Sequence, residues 1–229
     1  MRHTFRFEDP VLKSEFRSVN ELDGLYVARS GKLSCTAMRL MDGSLCLYSP
    51  VAGLEKTLLR QIDELGKVSA LLAPNHYHNK GLAAHVEAFP DATLYCSAAA
   101  RSRLSRITGL DFNPLDGLQE HFTTDQILHE PDGLKTGEVW VQINSNHDRA
   151  LIVTDAFSST IQPPGKYGDE VVMLGTFPRY GIKDASLYRM WATKFLTMTS
   201  PTLLLPCHGS PVKCTDLTAK LLSQIDGML

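Results

Sequence analysis

Four side chains with lone pairs to offer a cation stand close behind apolar runs of this sequence. His76 and His78 follow Val68-Ser-Ala-Leu-Leu-Ala73, Asp155 follows Arg149-Ala-Leu-Ile-Val-Thr154, and His208 follows Thr202-Leu-Leu-Leu205 through Pro206-Cys207. Neutral imidazole and carboxylate are ligands for zinc, iron and manganese alike, and nothing in their spacing chooses among the three. In a sheet with helices on its faces, ligands collect outside the C-terminal ends of the strands. These four residues are therefore expected to gather at one sheet edge around a single divalent ion, zinc before iron or manganese. Each alone has a blander explanation: a histidine bonded to loop backbone, or an aspartate closing a turn.

Two further positions bear on that site. Lys80 carries an ammonium that cannot ligate and would repel a cation; it is assigned a catalytic role, polarising a substrate oxygen or receiving an anionic group. Glu138 opens the strand-like run Glu138-Val-Trp-Val-Gln-Ile143, joined by the turn-rich Asn144-Ser-Asn-His-Asp148 to the run that ends at Asp155. A turn centred near Asn146 pairs Glu138 with Asp155 on one face, as a ligand or as an acceptor behind the ligands. The same geometry argues against His147 as an alternative to Glu138, because eight extended steps to Asp155 span roughly 26 Å. His3, His85, His121 and His129 read as surface or satisfied histidines, and Cys207 as a buried strand end.

The elements that must position these residues read as strands first, then alternation. Expected strands lie at 24–29, 35–40, 44–48, 68–73, 92–96, 138–143, 149–154 and 202–205. Expected helices lie at 54–65, 82–88, 98–107, 184–198 and from about 215. Asp42-Gly43 marks a hairpin turn, Gly66 a helix C-cap and Asp184 an N-cap. Residues 97–135 beyond the first helix, and 158–183, read as loops. One α/β domain over residues 1–229 is expected.

The order of these motifs resembles the metallo-β-lactamase fold superfamily: His76-Tyr-His78 after a buried strand, Ala150-Leu-Ile-Val-Thr-Asp155-Ala-Phe157, and Leu205-Pro-Cys-His208-Gly-Ser-Pro211. The resemblance spans roughly residues 24–213. It implies a four-layered αββα sandwich, one or two bound metal ions, and hydrolytic chemistry. The superfamily's His-x-His-x-Asp-His motif is incomplete here, since Lys80 and Gly81 stand where its Asp and last His serve a second metal. The resemblance then implies a mononuclear hydrolase of a small molecule: an ester, amide, thioester or phosphoester, with Asp155 orienting water. The alternative it leaves is a repurposed binding protein without metal, in which Lys80, Asn75 and Asn79 replace the metal chemistry and Lys80 fills the second-metal position.

Composition bounds the rest. The chain has 229 residues, 43% hydrophobic and 21% charged, with a net charge of -2. This is an ordinary globular composition that gives no electrostatic reason to expect nucleic acid or an anionic membrane as partner. Five cysteines without a CxxC spacing argue for reduced thiols rather than a disulfide framework. No apolar run nears membrane-spanning length, and the charged N-terminal stretch lacks the apolar core of a secretory signal, so a cytoplasmic protein is expected.

Overall fold

Why the sequence folds into layers is visible in the alternation along its strands. A computed structural model describes residues 14–229; the N-terminal stretch before them, with His3, lies outside the described residues. Strands β1 (Arg17–Ser18), β2 (Leu25–Ser30), β3 (Leu33–Arg39) and β4 (Leu45–Tyr48) form an antiparallel meander. Then follow α1 (Leu54–Leu65), β5 (Val68–Leu72), α2 (Leu82–Ala88), β6 (Thr93–Tyr95), α3 (Ala98–Thr108) and α4 (Leu115–Gln119). Strands β7 (Gln126–His129), β8 (Trp140–Asn144), β9 (Arg149–Ser159) and β10 (Val171–Met173) precede α5 (Phe177–Gly181) and α6 (Ala185–Thr199). The chain ends with β11 (Leu203–His208), β12 (Val212–Lys213) and α7 (Leu217–Met228).

The strands hydrogen-bond into one curled sheet, ordered β6-β5-β4-β3-β11-β9-β8-β7 along its main path. Successive side chains of a strand point to opposite faces, and here each face has its own partner. Cys46 and Tyr48 of β4 face an inner core with Ile152 of β9 and Leu203 and Leu205 of β11. Leu45 and Leu47, one residue out of phase, pack instead with Leu54 and Leu58 of α1. On the other half, Leu151 and Val153 of β9 pack with Tyr188 and Leu196 of α6 and Leu221 of α7. Helix, sheet half, sheet half, helix: this is the expected αββα sandwich. Each large apolar side chain so buried contributes about 1.5–3 kcal/mol, and a one-residue slip of β4 or β9 would turn both faces inside out.

Local signals placed several element ends well. Gly43 closes the β3–β4 hairpin at φ 84°, and Asp42 Oδ1 accepts from Ser44 N at 2.9 Å. Asp184 caps α6, its side chain accepting from Leu187 N at 2.9 Å. Three expectations are corrected. The run 149–154 is the start of an eleven-residue strand, so Asp155 sits inside β9 rather than behind it, and β11 likewise runs on through His208. Residues 158–183 are no plain loop, since β10 pairs back on β9 and α5 follows. Residues 97–135 carry α4 and β7 as well as the expected helix. All five cysteines are free, Cys207 buried among them. Among the described residues no helix is long and apolar enough to cross a membrane.

Candidate metal centre

Glu138 comes first, because it shapes the backbone from which Asp155 projects. The pairing of β8 with β9 sets Val141 opposite Ile152, and that register carried two residues beyond β8 brings Glu138 to Asp155, as the turn predicts. Beside this point the parallel pairing of β9 with β11 shifts register between Pro206 and His208. Bulges of this kind free backbone N–H groups and re-aim side chains. Glu138 collects those N–H groups: Oε1 accepts from Thr154 N at 3.0 Å and Ala156 N at 3.3 Å, and Oε2 from Asp155 N at 3.2 Å. Its Oε1 also accepts from the Trp140 indole at 3.1 Å. Burial, together with the nearby charge of Asp155, pushes the Glu138 carboxyl up to about 8 against the pull of these donors. Glu138 thus holds the backbone that carries Asp155 and stands outside the His78–Asp155–His208 group.

Three donors converge in front of it. His78 Nε2 lies 3.2 Å and His208 Nε2 2.9 Å from Asp155 Oδ1. One ligand atom from each of the three residues lies within 4.8 Å of the others. Burial opposes ionisation of Asp155, but the hydrogen bonds from His208 and His78 hold its carboxyl well below the usual range. Two groups behind the donors fix their orientation. Asn75 Nδ2 donates to Asp155 Oδ2 at 2.7 Å, while its Oδ1 accepts from the backbone of Tyr77 and His78 and so folds the loop. Ser49 Oγ meets His78 Nδ1 at 2.9 Å, from a backbone held at φ 58°, a strained conformation for a residue other than glycine. Gly209, at φ 107°, brings His208 in beside β9, where a Cβ would stand 2.2 Å from Ser159 O. Gly81 lets the histidine loop lie against the Ser49 turn, where a Cβ would stand 2.2 Å from Pro50 O.

The residues present fit one divalent cation. Ligand atoms about 2.0–2.1 Å from an ion stand roughly 2.9–3.4 Å apart at adjacent vertices of its coordination shell, the range of both Asp155 distances. His78 has on its other nitrogen, from Ser49, the oriented partner that metal-bound imidazoles usually carry. The same distances are hydrogen-bond lengths, so protons and metal compete for the two Nε2 atoms.

The structure does not bring His76 into this group. The residue is 5% exposed, its ring packs edge-on against Tyr77 with centroids 4.4 Å apart, and its Nε2 is buried without a partner. Burial and the charge of Arg103 lower its pKa to about 4, with Asp155 opposing. The folded protein therefore binds this proton less readily than the unfolded chain. The stability His76 gives by staying neutral is complete above about pH 6.5 and is lost as the pH falls from there toward 4. Denaturant titrations at pH 7, 6 and 5 are expected to show falling stability with a shallower slope in His76→Phe; equal slopes would contradict the assignment.

Lys80 is exposed and lines the cleft that opens onto the donors. His147 is exposed in the turn at the far end of β9. His85 is buried, with Nδ1 2.9 Å from Gly81 O, and His129 meets Gln142. Sequence reading missed Ser49, and it named Asn75 only as a replacement for metal chemistry, not as the partner of Asp155. An asparagine directly after a buried strand and Pro74 is the available signal, since Asx turns form there; Ser49 gives none without its φ.

The comparisons decide the fold. No family model matches the sequence, and no curated protein does. Among solved structures, a metallo-β-lactamase from Erythrobacter litoralis with β-mercaptoethanol in its active site superimposes with a TM-score of 0.63 at 12% identity, covering 93% of this chain and 96% of that one. The chain has the metallo-β-lactamase fold. A rubredoxin oxygen:oxidoreductase from Desulfovibrio gigas gives a TM-score of 0.67 at 12% identity, covering 93% of this chain but 62% of that one. A metal-soaked flavodiiron core from Synechocystis gives 0.62 at 11%, covering 93% and 61%. This chain thus spans about three fifths of the length of the latter two. His78, Asp155 and His208 line a cleft of about 680 Å³. Of the two segments expected as loops, 158–183 lines it through residues 174–181, and 97–135 does not.

Proposed function

We propose that this protein is a metal-dependent hydrolase of a small molecule, with a mononuclear site made by His78, Asp155 and His208. The observation that carries the reading is the meeting of these three donors, distant in sequence, at the floor of a cleft large enough for a small-molecule substrate. Zinc is the ion the reading favours, with iron and manganese accepted by the same donors. Such an ion lowers the pKa of a water toward neutrality and polarises an ester, amide, thioester or phosphoester oxygen. Asp155 accepts hydrogen bonds at Oδ1 and is held at Oδ2 by Asn75, so it can orient the attacking water. Ser49 fixes the His78 ring. The cleft's size argues for a small-molecule partner. A cytoplasmic location remains part of this proposal.

The second reading, a binding protein without metal, draws on the mutual satisfaction of the cluster. Each imidazole already bonds Asp155, and two of the superfamily's metal-binding positions hold Lys80 and Gly81. A panel of esters, thioesters, lactams and phosphodiesters, with and without Zn²⁺, Mn²⁺ and Fe²⁺, separates the two. Metal-dependent turnover is expected, abolished in His78→Ala and retained in His76→Ala. Inert substrates throughout, with less than about a tenth of an equivalent of metal bound, would overturn the hydrolase.

A further inference from the structure

A second hollow lies apart from the cleft, and the sheet register dictates what lines it. Arg17 of β1 pairs with Val27 of β2, and Ser34 of β3 pairs with Arg29 of β2. Residues 27 and 29 point to one face of their strand, so Arg17, Arg29 and Ser34 share that face. The two arginines are diagonal neighbours there, within mutual reach of long side chains. The turn from Pro163 to Lys166 covers them. Its Lys166 N–H bonds Pro163 O at 3.0 Å and Gly165 stands at φ 79°, as a type II turn requires. A Cβ on Gly165 would stand 4.0 Å from Arg17 Cδ. On the other side, Arg29 Nη1 donates to Ser210 Oγ at 3.0 Å and Ser34 Oγ to Gly209 O at 3.0 Å. The enclosed space is about 40 Å³ and shares no lining residue with the cleft.

Arg17, Arg29 and Lys166 line this hollow, and among the described residues no carboxylate does. Neither arginine is in an ion pair among the described residues. Like charges set side by side on a sheet face repel. The chain as a whole carries a net charge of -2, so a general excess of cations does not account for three of them here. A bound anion would.

We propose that this hollow binds one phosphoryl group, either free phosphate or the end of a phosphorylated small molecule. Its size admits about three water-sized groups, the number of terminal oxygens on a phosphate monoester, so an organic body would stay outside. Such a group brings close to two negative charges at neutral pH and strong acceptor oxygens. Against it the guanidinium groups set planar donor pairs, and Lys166 a point charge. Ser210 holds Arg29 through Nη1 alone, which leaves Nη2 for the ligand. The proposal does not depend on the hydrolase reading. Calorimetric titration of inorganic phosphate, glycerol 3-phosphate and acetate at fixed ionic strength tests it, on the protein and on Arg29→Gln, Arg17→Gln and Lys166→Gln. Phosphate is expected to bind at least about tenfold more tightly than acetate. Arg29→Gln is expected to weaken phosphate about tenfold, the size of a lost charge-assisted hydrogen bond. The exposed Arg17→Gln and Lys166→Gln are expected to weaken it about threefold each without moving the melting temperature. Should Arg29→Gln unfold, these two decide. Glycerol 3-phosphate binding as tightly as phosphate supports a phosphorylated molecule as the source, and phosphate binding alone supports the free ion. No saturable phosphate binding below about 10 mM would overturn the proposal. Affinity unchanged in both Arg17→Gln and Lys166→Gln would place the anion elsewhere, the metal centre included, and overturn it equally.

Discussion

Replacing Glu138 with alanine is expected to destabilise the protein by about 3–5 kcal/mol, the largest stability effect of any single change at the site. Three main-chain N–H groups of β9 and the Trp140 indole donate to this one carboxylate. Removing it leaves buried donors unsatisfied, each costing about 1–3 kcal/mol, partly recovered by relaxation. In a chain of this length 1 kcal/mol moves the melting temperature by roughly 2–4 °C, so a fall near 10 °C is expected by calorimetry. Glu138→Gln should fall between: it keeps the shape and one acceptor, but turns an NH₂ toward N–H donors. A loss below about 1 kcal/mol in Glu138→Ala would show that the bulge in β9 is held by other means.

Asp155→Ala is expected to have the largest effect on metal affinity, a loss of more than about 100-fold. Changes to groups merely behind the ligands cost 10–100-fold, and Asp155 is the donor that both imidazoles face. Asn75→Ala is expected in that lower range, because it frees Oδ2 and unfolds the turn that carries His78. Equilibrium competition against a chromophoric chelator reads both. Equal losses in the two variants would mean that Asp155 acts only by orienting the histidines.

Much of this was legible in the sequence, for physical reasons that can be named residue by residue. Strong apolar periodicity located Leu54–Leu65, and short apolar runs bounded by turn residues located β5 and β11. The hairpin register needed only the turn near Asn146, and it brought Glu138 to Asp155. What the sequence hid was tertiary. His-x-His suggested two ligands because both rings share a face in an extended strand, yet His76 and His78 lie past the end of β5 in a turn folded by Asn75. There the alternation no longer holds, and His76 turns into packing against Tyr77. Ser49 became visible only through its left-handed backbone and its bond to His78. Asp155 looked like a strand terminus because the pairing irregularity that surrounds it leaves no mark on composition. Strand β10 has three residues, too few for a periodic signal, and is fixed by pairing with β9.

The central claim is that His78, Asp155 and His208, without His76, hold one metal ion. Anomalous scattering from a crystal grown with Zn²⁺, recorded on both sides of the zinc edge, tests it directly. The account predicts one strong peak per chain, about 2.0–2.2 Å from the Nε2 atoms of both histidines and from an Asp155 carboxylate oxygen. A peak coordinated by His76, or a site with no peak and its three side chains still bonded to one another, would contradict it.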